Sequence, residues 1–254
     1  MLLIQVTLIT IYGQSPKTLI TRSDRPVRLR TFLRGARDEL PLLIAVMPFG
    51  VIYGVTALEA GLTKFQAQSM SYIIFGGSSQ FVASKLFAES IPWSVITLTV
   101  VMVNLRHMLY SASVAPYLKE LPFGWKALLS YLLTDEAYAV VISYYQKERE
   151  ERYDHMYFLG AGLILWLTWQ MSTAMGIFLG KMLPSDWPLD FFLPLTFIAI
   201  LVPSLNSYPS IIAALTAGIC SMLFFGFPYK LGLIAAALVG MTGGFVLDLR
   251  RSRS

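Results

Sequence analysis

Charge is what this chain has least of. Of its 254 residues only 14% are charged, while 56% are apolar, and the mean hydropathy is +0.61. A soluble domain carries about 25% charged residues. So little polar surface cannot cover a globule in water, which leaves a bilayer as the solvent. Cysteine is almost missing too. The single Cys220 sits in an apolar run, cannot form an intrachain disulfide or a thiolate cluster, and reads as packing. Two histidines, His107 and His155, are too few and too isolated for a His-based metal site. There is no GxxxxGK[ST] phosphate loop, no HExxH and no cofactor fingerprint. ATP-driven work, zinc proteolysis and a resident cofactor or metal are therefore not expected. Short segments of alternating polarity, the mark of a membrane barrel, are also missing. Helices are the other structure able to span lipid.

What is present is a series of long apolar runs, at roughly 40–60, 65–88, 92–117, 124–145, 156–181, 188–204, 209–225 and 229–247, against the ~20 residues a crossing needs. Turn chemistry separates them: Ser90-Ile91-Pro92, Leu121-Pro122-Phe123-Gly124, Leu183-Pro184-Ser185-Asp186, Asn206-Ser207-Tyr208-Pro209 and Gly226-Phe227-Pro228. The expected fold is all-α, a polytopic transmembrane bundle of about eight spans, with seven as the alternative. The net charge of +5 is concentrated before the first run (Lys17, Arg22, Arg25, Arg28, Arg30, Arg34, Arg37) and after the last (Arg250, Arg251, Arg253). Juxtamembrane Lys and Arg mark the cytoplasmic side. Eight spans put both Arg-rich ends there, together with Lys147, Arg149 and Arg152. A nucleic-acid partner is not expected, because no basic patch is interleaved with aromatics. The resulting division is a basic cytoplasmic tail at 1–37, a transporter domain at 38–249 and a basic tail at 250–254. The apolar start, Met1 to Tyr12, lacks a basic n-region and a cleavage site and is too short to span.

Glycine pairs four apart, Gly50/Gly54, Gly176/Gly180 and Gly240/Gly244, suit close helix packing in lipid. A weak internal echo links Leu40-Pro41-Leu42 to Leu193-Pro194-Leu195, each followed by a later proline.

Polar residues inside the runs are the places to look for function. Phe75-Gly76-Gly77-Ser78-Ser79-Gln80-Phe81 interrupts the second run. Paired glycines lower helix propensity by about 1 kcal/mol each, and serines cap new helices. The second helix is therefore expected to break, with Gly76-Gly77 ending one half and Ser78-Ser79 capping the next. Free amides at such a start suit a carboxylate. Gly and Ser also serve plain helix packing, but Gln80 needs polar company. The next stretch is Asn104-Leu105-Arg106-His107-Met108-Leu109-Tyr110. Asn104, His107 and Ser111 share one helical face, with Arg106 and Tyr110 beside it. Two roles fit Arg106, a snorkelling or ion-paired anchor and a substrate contact. Two fit His107, a structural histidine and a proton carrier. In Thr134-Asp135-Glu136 adjacent carboxylates lie mid-run, and Thr134-Asp135 suits the start of another broken helix. At least one carboxylate must meet a cation or a proton, and Arg106 is the nearest partner by topology. Trp166, Trp169, Gln170 and Thr173 form a lesser candidate.

These motifs, in this order, resemble the AzlC family: Met47-Pro48-Phe49-Gly50, Phe75 to Phe81, Asn104 to Tyr110, Leu133-Thr134-Asp135-Glu136, and Leu193 to Pro203. The resemblance runs from about Arg34 to the C-terminus, with Gly77 where the family has Ala. It implies the large subunit of a bacterial branched-chain amino acid exporter in the cell (inner) membrane. Its substrates would be valine, leucine, isoleucine and sometimes methionine, its drive the proton gradient, and its partner a small AzlD-type subunit. On the residues, Gly76, Gly77, Ser78, Ser79 and Gln80 would hold the substrate carboxylate, with Asn104 and Phe49 beside them. Arg106, His107, Asp135 and Glu136 would provide ion pairing or proton coupling. The rival reading is an intramembrane serine hydrolase using Ser78 or Ser79 with His107.

Overall fold

The computed structural model describes residues 25–147, 153–179, 205, 207–227 and 231–251. The expectations for 188–204 and Leu193 to Pro203, for Gly180, for Arg149 and Arg152 and for the extreme tails lie outside these residues. The described chain is helical: α1 (Arg25–Glu59), α2 (Lys64–Ile74), α3 (Gly77–Ala88), α4 (Trp93–Val103), α5 (Arg106–Leu118), α6 (Phe123–Tyr131), α7 (Asp135–Lys147), α8 (Asp154–Leu179), α9 (Tyr208–Leu223) and α10 (Leu231–Arg251). Among the described residues, three stretches are long and apolar enough to cross a membrane: Pro26–Glu59, Trp93–Leu118 and Asp154–Leu179. The chain is a membrane protein with an all-helical fold.

Part of the expected tail is not a tail. α1 begins at Arg25, well ahead of the boundary at 37. A helix rises 1.5 Å per residue, so its 35 residues reach about 52 Å, against a hydrocarbon core of about 30 Å. Pro41 and Pro48 lie within it, and the helix continues past both.

The chain falls into two compact units. In the first, α1 and α8 pair along most of their length, with α2 and α7 packed against both and α6 against α8. Small residues let the two backbones touch. A Cβ on Gly35 would fall on the Tyr157 carbonyl, one on Gly160 on the Phe32 carbonyl, one on Gly54 on the Thr173 carbonyl and one on Gly176 on the Val51 carbonyl. The expected role of Gly50/Gly54 is therefore met, and Gly35 and Gly160 extend the seam. An apolar core follows α5 to α8 through Val114, Leu118, Leu129, Leu133, Val141, Tyr145 and Phe158.

In the second unit, α9 and α10 pair. Gly240 and Gly244 lie against Ala213 and Ala217, where a Cβ would crowd the alanine methyls. Ser207 caps α9 through the Ser210 amide at 3.3 Å. Phe87 packs on Trp93 at 5.4 Å where the chain turns from α3 into α4.

Candidate functional site

Three apolar runs are interrupted near their middles, at Phe75–Gly76, Asn104–Leu105 and Leu132–Thr134. The helices on either side have 9 to 13 residues. Each is about 14–20 Å long, roughly half a bilayer core.

The first break is abrupt. Phe75 closes α2 in the left-handed region (φ 40°, ψ 55°), a conformation that costs an L-residue roughly 1–2 kcal/mol. Its buried ring packs on Tyr131 at 5.8 Å. α3 starts at Gly77, earlier than a cap at Ser78-Ser79 implies, with Gly76 in the capping position: its carbonyl accepts the Gln80 amide at 3.0 Å. Neither serine caps an amide. Ser79 Oγ donates back to the Gly76 carbonyl at 2.8 Å, and Ser78 Oγ accepts from the Arg106 guanidinium at 2.5 Å. The capping expected of Ser78 and Ser79 is thus corrected. A carbonyl has two lone pairs, and the Ser79 hydroxyl takes the one that the Gln80 amide leaves. Gln80 does the work instead, its Oε1 taking the Gly76 amide at 3.3 Å and the Trp169 indole N–H at 3.2 Å. The amides of Gly77, Ser78 and Ser79 precede the first helical acceptor and have no partner among the described residues.

The second break is mild, and the sequence reading treated this run as continuous. Leu105 keeps right-handed helical angles (φ −55°, ψ −30°). The amides of His107 and Met108 shift to carbonyls three residues back, at 3.0 Å each, a 3₁₀-type tightening. Asn104, His107 and Ser111 are buried on one face as expected. The third break is capped by Thr134, whose Oγ1 receives the Ala137 amide at 3.5 Å and whose carbonyl receives the Tyr138 amide at 2.9 Å.

The three breaks meet. Arg106 pairs with Asp135 at 2.8 Å while also bonding Ser78, so one guanidinium joins all three. Tyr110 donates to the other Asp135 oxygen at 2.7 Å. A Cβ on Gly76 would stand 3.3 Å from Asn104 Oδ1 and 3.8 Å from His107 Cε1. Around the first break stand aromatic rings. Phe49 stacks on Phe81 at 4.7 Å and meets Trp169 edge-on at 5.8 Å. A Cβ on Gly77 would press on both Phe49 and Trp169. Glu136 follows Asp135 on α7 and feels the charges of Asp135 and Arg106.

Several polar atoms here have no partner among the described residues. Gln80 Nε2 and Arg106 Nε are donors, and Asn104 Oδ1 is an acceptor; Gln80 is 0% and Asn104 3% exposed. Buried polar groups are nearly always bonded, which makes these unpartnered atoms unusual. The lesser candidate resolves differently. Gln170 binds Gln68 at 2.9 Å and the Ser71 carbonyl at 3.2 Å, and Thr173 meets Ser71 at 3.3 Å. They tie α8 to α2. Trp166 donates to Tyr131 at 2.8 Å. Of that group Trp169 alone reaches the break. No hydrogen bond among the described residues joins His107 to Ser78 or Ser79, which deprives the hydrolase reading of its base–nucleophile pair.

Two features escaped the sequence reading. A cavity of about 510 Å³ opens between α1, α7 and α8, lined by Arg34, Asp38, Tyr144, Lys147, Tyr157 and apolar neighbours. Near it Glu39 is fully buried, and neither carboxyl oxygen has a hydrogen-bond partner among the described residues.

Comparison with known proteins now bears on this geometry. The sequence profile of the AzlC protein family matches residues 41–183, more than half of the chain. The chain belongs to the AzlC family. The match takes in all three breaks. Among similar proteins, the inner membrane protein YgaZ of Escherichia coli (strain K12) is 28% identical over 85% of this chain and 91% of its own length. An uncharacterized membrane protein of Archaeoglobus fulgidus is 29% identical, over 82% and 92%. The branched-chain amino acid transport protein AzlC of Bacillus subtilis (strain 168) is 26% identical, over 74% of each. No solved structure matches the chain.

Proposed function

We propose that this AzlC-family protein is a secondary transporter that exports branched-chain amino acids. One observation carries the reading: buried donors and an acceptor without partners among the described residues occur where three helix breaks meet, beside an aromatic wall. The ligand that satisfies them is a zwitterion with an apolar side chain. Its carboxylate takes the free amides of Gly77 to Ser79 and the Gln80 amide group, at the positive end of α3. Its ammonium takes Asn104 Oδ1 and the carboxylates of Asp135 or Glu136. Its side chain lies against Phe49, Phe81 and Trp169. The transport name of the Bacillus relative supports the branched-chain class. Discontinuous helices near the midplane are a recurring way to hold a substrate in a carrier.

In the same reading the chain crosses the bacterial inner membrane about eight times with both termini cytoplasmic, works with a small AzlD-type subunit and couples export to protons. Arg106 is the latch that holds the three breaks in one arrangement, and His107 lines the site beside Gly76.

The test is leucine binding by the purified protein, followed by counterflow of labelled leucine in proteoliposomes. A hydrogen bond to a charged group contributes about 1.5–3 kcal/mol, so Gln80→Ala and Asn104→Ala should each weaken leucine binding by roughly 10- to 150-fold. Wild-type affinity in both variants would remove the site from the break.

A further inference from the structure

We propose that Glu39 is a proton-carrying residue of the transport cycle, loaded from Glu136 and discharged into the cavity between α1, α7 and α8. This deepens the transporter reading and rests on it.

Geometry places Glu39 between two known points. Phe49, ten residues further along α1, stands at the first break, about 15 Å away along the helix axis. Asp38, one residue earlier, lines the cavity and accepts the Tyr157 hydroxyl at 2.7 Å. On the facing helix α7, Glu136 stands at the third break and acts electrostatically on Glu39. Lys147 lies at the cavity end of α7, about 16 Å beyond Glu136. Glu39 therefore stands one residue from the cavity lining and within electrostatic reach of Glu136 at the third break.

Its environment fits that role. An ionised carboxylate sealed without a partner is penalised by several kcal/mol. Glu39 has no such partner among the described residues and is fully buried, so sealing favours the protonated acid and hydration favours its loss. Other charged and titratable groups line the cavity: Arg34 and Asp38 from α1, Tyr144 and Lys147 from α7, Tyr157 from α8. From α2, Lys64 lies over Phe178. The step balances simply. An O–H bond forms on Glu39 as one breaks on Glu136, through water. Release breaks that bond and forms another in hydronium in the cavity.

The experiment uses the full-length protein in proteoliposomes, with a pH-sensitive dye inside and labelled leucine outside. Two quantities are read: leucine counterflow without a gradient, and leucine accumulation with its accompanying proton movement under a pH gradient. Glu39→Gln should lose gradient-driven accumulation and leucine-coupled proton movement while counterflow persists, and Glu39→Asp should keep part of both. Coupled proton movement of wild-type size in Glu39→Gln overturns the proposal, as does accumulation driven by sodium with no proton movement. If Glu39→Gln does not fold, Glu39→Asp decides: an unshifted pH profile of accumulation overturns the proposal and a shifted one supports it. Absence of leucine counterflow in the wild type defeats the transporter reading itself, an outcome distinct from those.

Discussion

Arg106 and Asp135 offer the sharpest measurement. They meet at 2.8 Å, each about 28% exposed. Two unit charges some 4 Å apart attract by about 4 kcal/mol at an effective dielectric of 20. An exposed pair delivers about 0–1 kcal/mol. Partial burial places this pair between those limits, at about 2 kcal/mol of coupling. Arg106→Met leaves Asp135 with only the Tyr110 hydroxyl, and Asp135→Leu leaves the guanidinium with only Ser78. Each single variant should lose about 2–3 kcal/mol, short of the roughly 3–5 kcal/mol for breaking a fully buried pair. The double variant removes both charges, and its loss should fall about 2 kcal/mol short of the sum of the singles. For a chain of this size each kcal/mol moves Tm by about 2–4 °C. Each single variant should therefore melt about 4–12 °C lower in detergent, read by the fraction that stays monodisperse after heating. Arg106→Lys should fall between wild type and Arg106→Met, because an ammonium keeps the charge but not the planar guanidinium, one nitrogen of which reaches both Ser78 and Asp135. Additive singles, with coupling under about 0.5 kcal/mol, would refute the claim that this pair holds the breaks together.

Gly54→Leu and Gly176→Leu should each destabilise the protein by at least about 1–3 kcal/mol, because the new side chain meets the carbonyl of Thr173 or Val51. Gly218→Leu and Gly243→Leu, with open space around them, should melt within about 2 °C of wild type under the same heating assay. Gln170→Ala should lower Tm through its bonds to Gln68 and Ser71, at about 1–2 kcal/mol. Leucine affinity measured by calorimetry should stay within about threefold, separating this structural amide from Gln80.

Which features the sequence exposed follows from what each one costs. The first break was visible because Gly, Ser and Gln cannot sit idle in lipid. Its details were not, since the choice between capping an amide and bonding a carbonyl depends on where Ser79 points. The tightening at Asn104 leaves Leu105 helical in its dihedrals, so no residue type announces it. The Arg106–Asp135 pair was legible because a buried charge needs an opposite one. Glu39 was not: it stands at the edge of the first run beside Arg37 and Asp38, where charge is ordinary. Its complete burial makes it unusual, and that is a tertiary fact. Gly35 and Gly160 were missed because neither forms a pair at spacing four; their partner is on the other helix.

The seam between α1 and α8 has a mechanical consequence. Where Gly35, Gly54, Gly160 and Gly176 bring backbone against backbone, there are no side chains to switch rotamer and let one helix turn past the other. Such contacts deform little, since packed interiors have few voids to absorb a shift. For the transporter proposed above, this makes α1 and α8 the stator, and the junctions at Phe75–Gly76, Asn104–Leu105 and Leu132–Thr134 are the joints available to it.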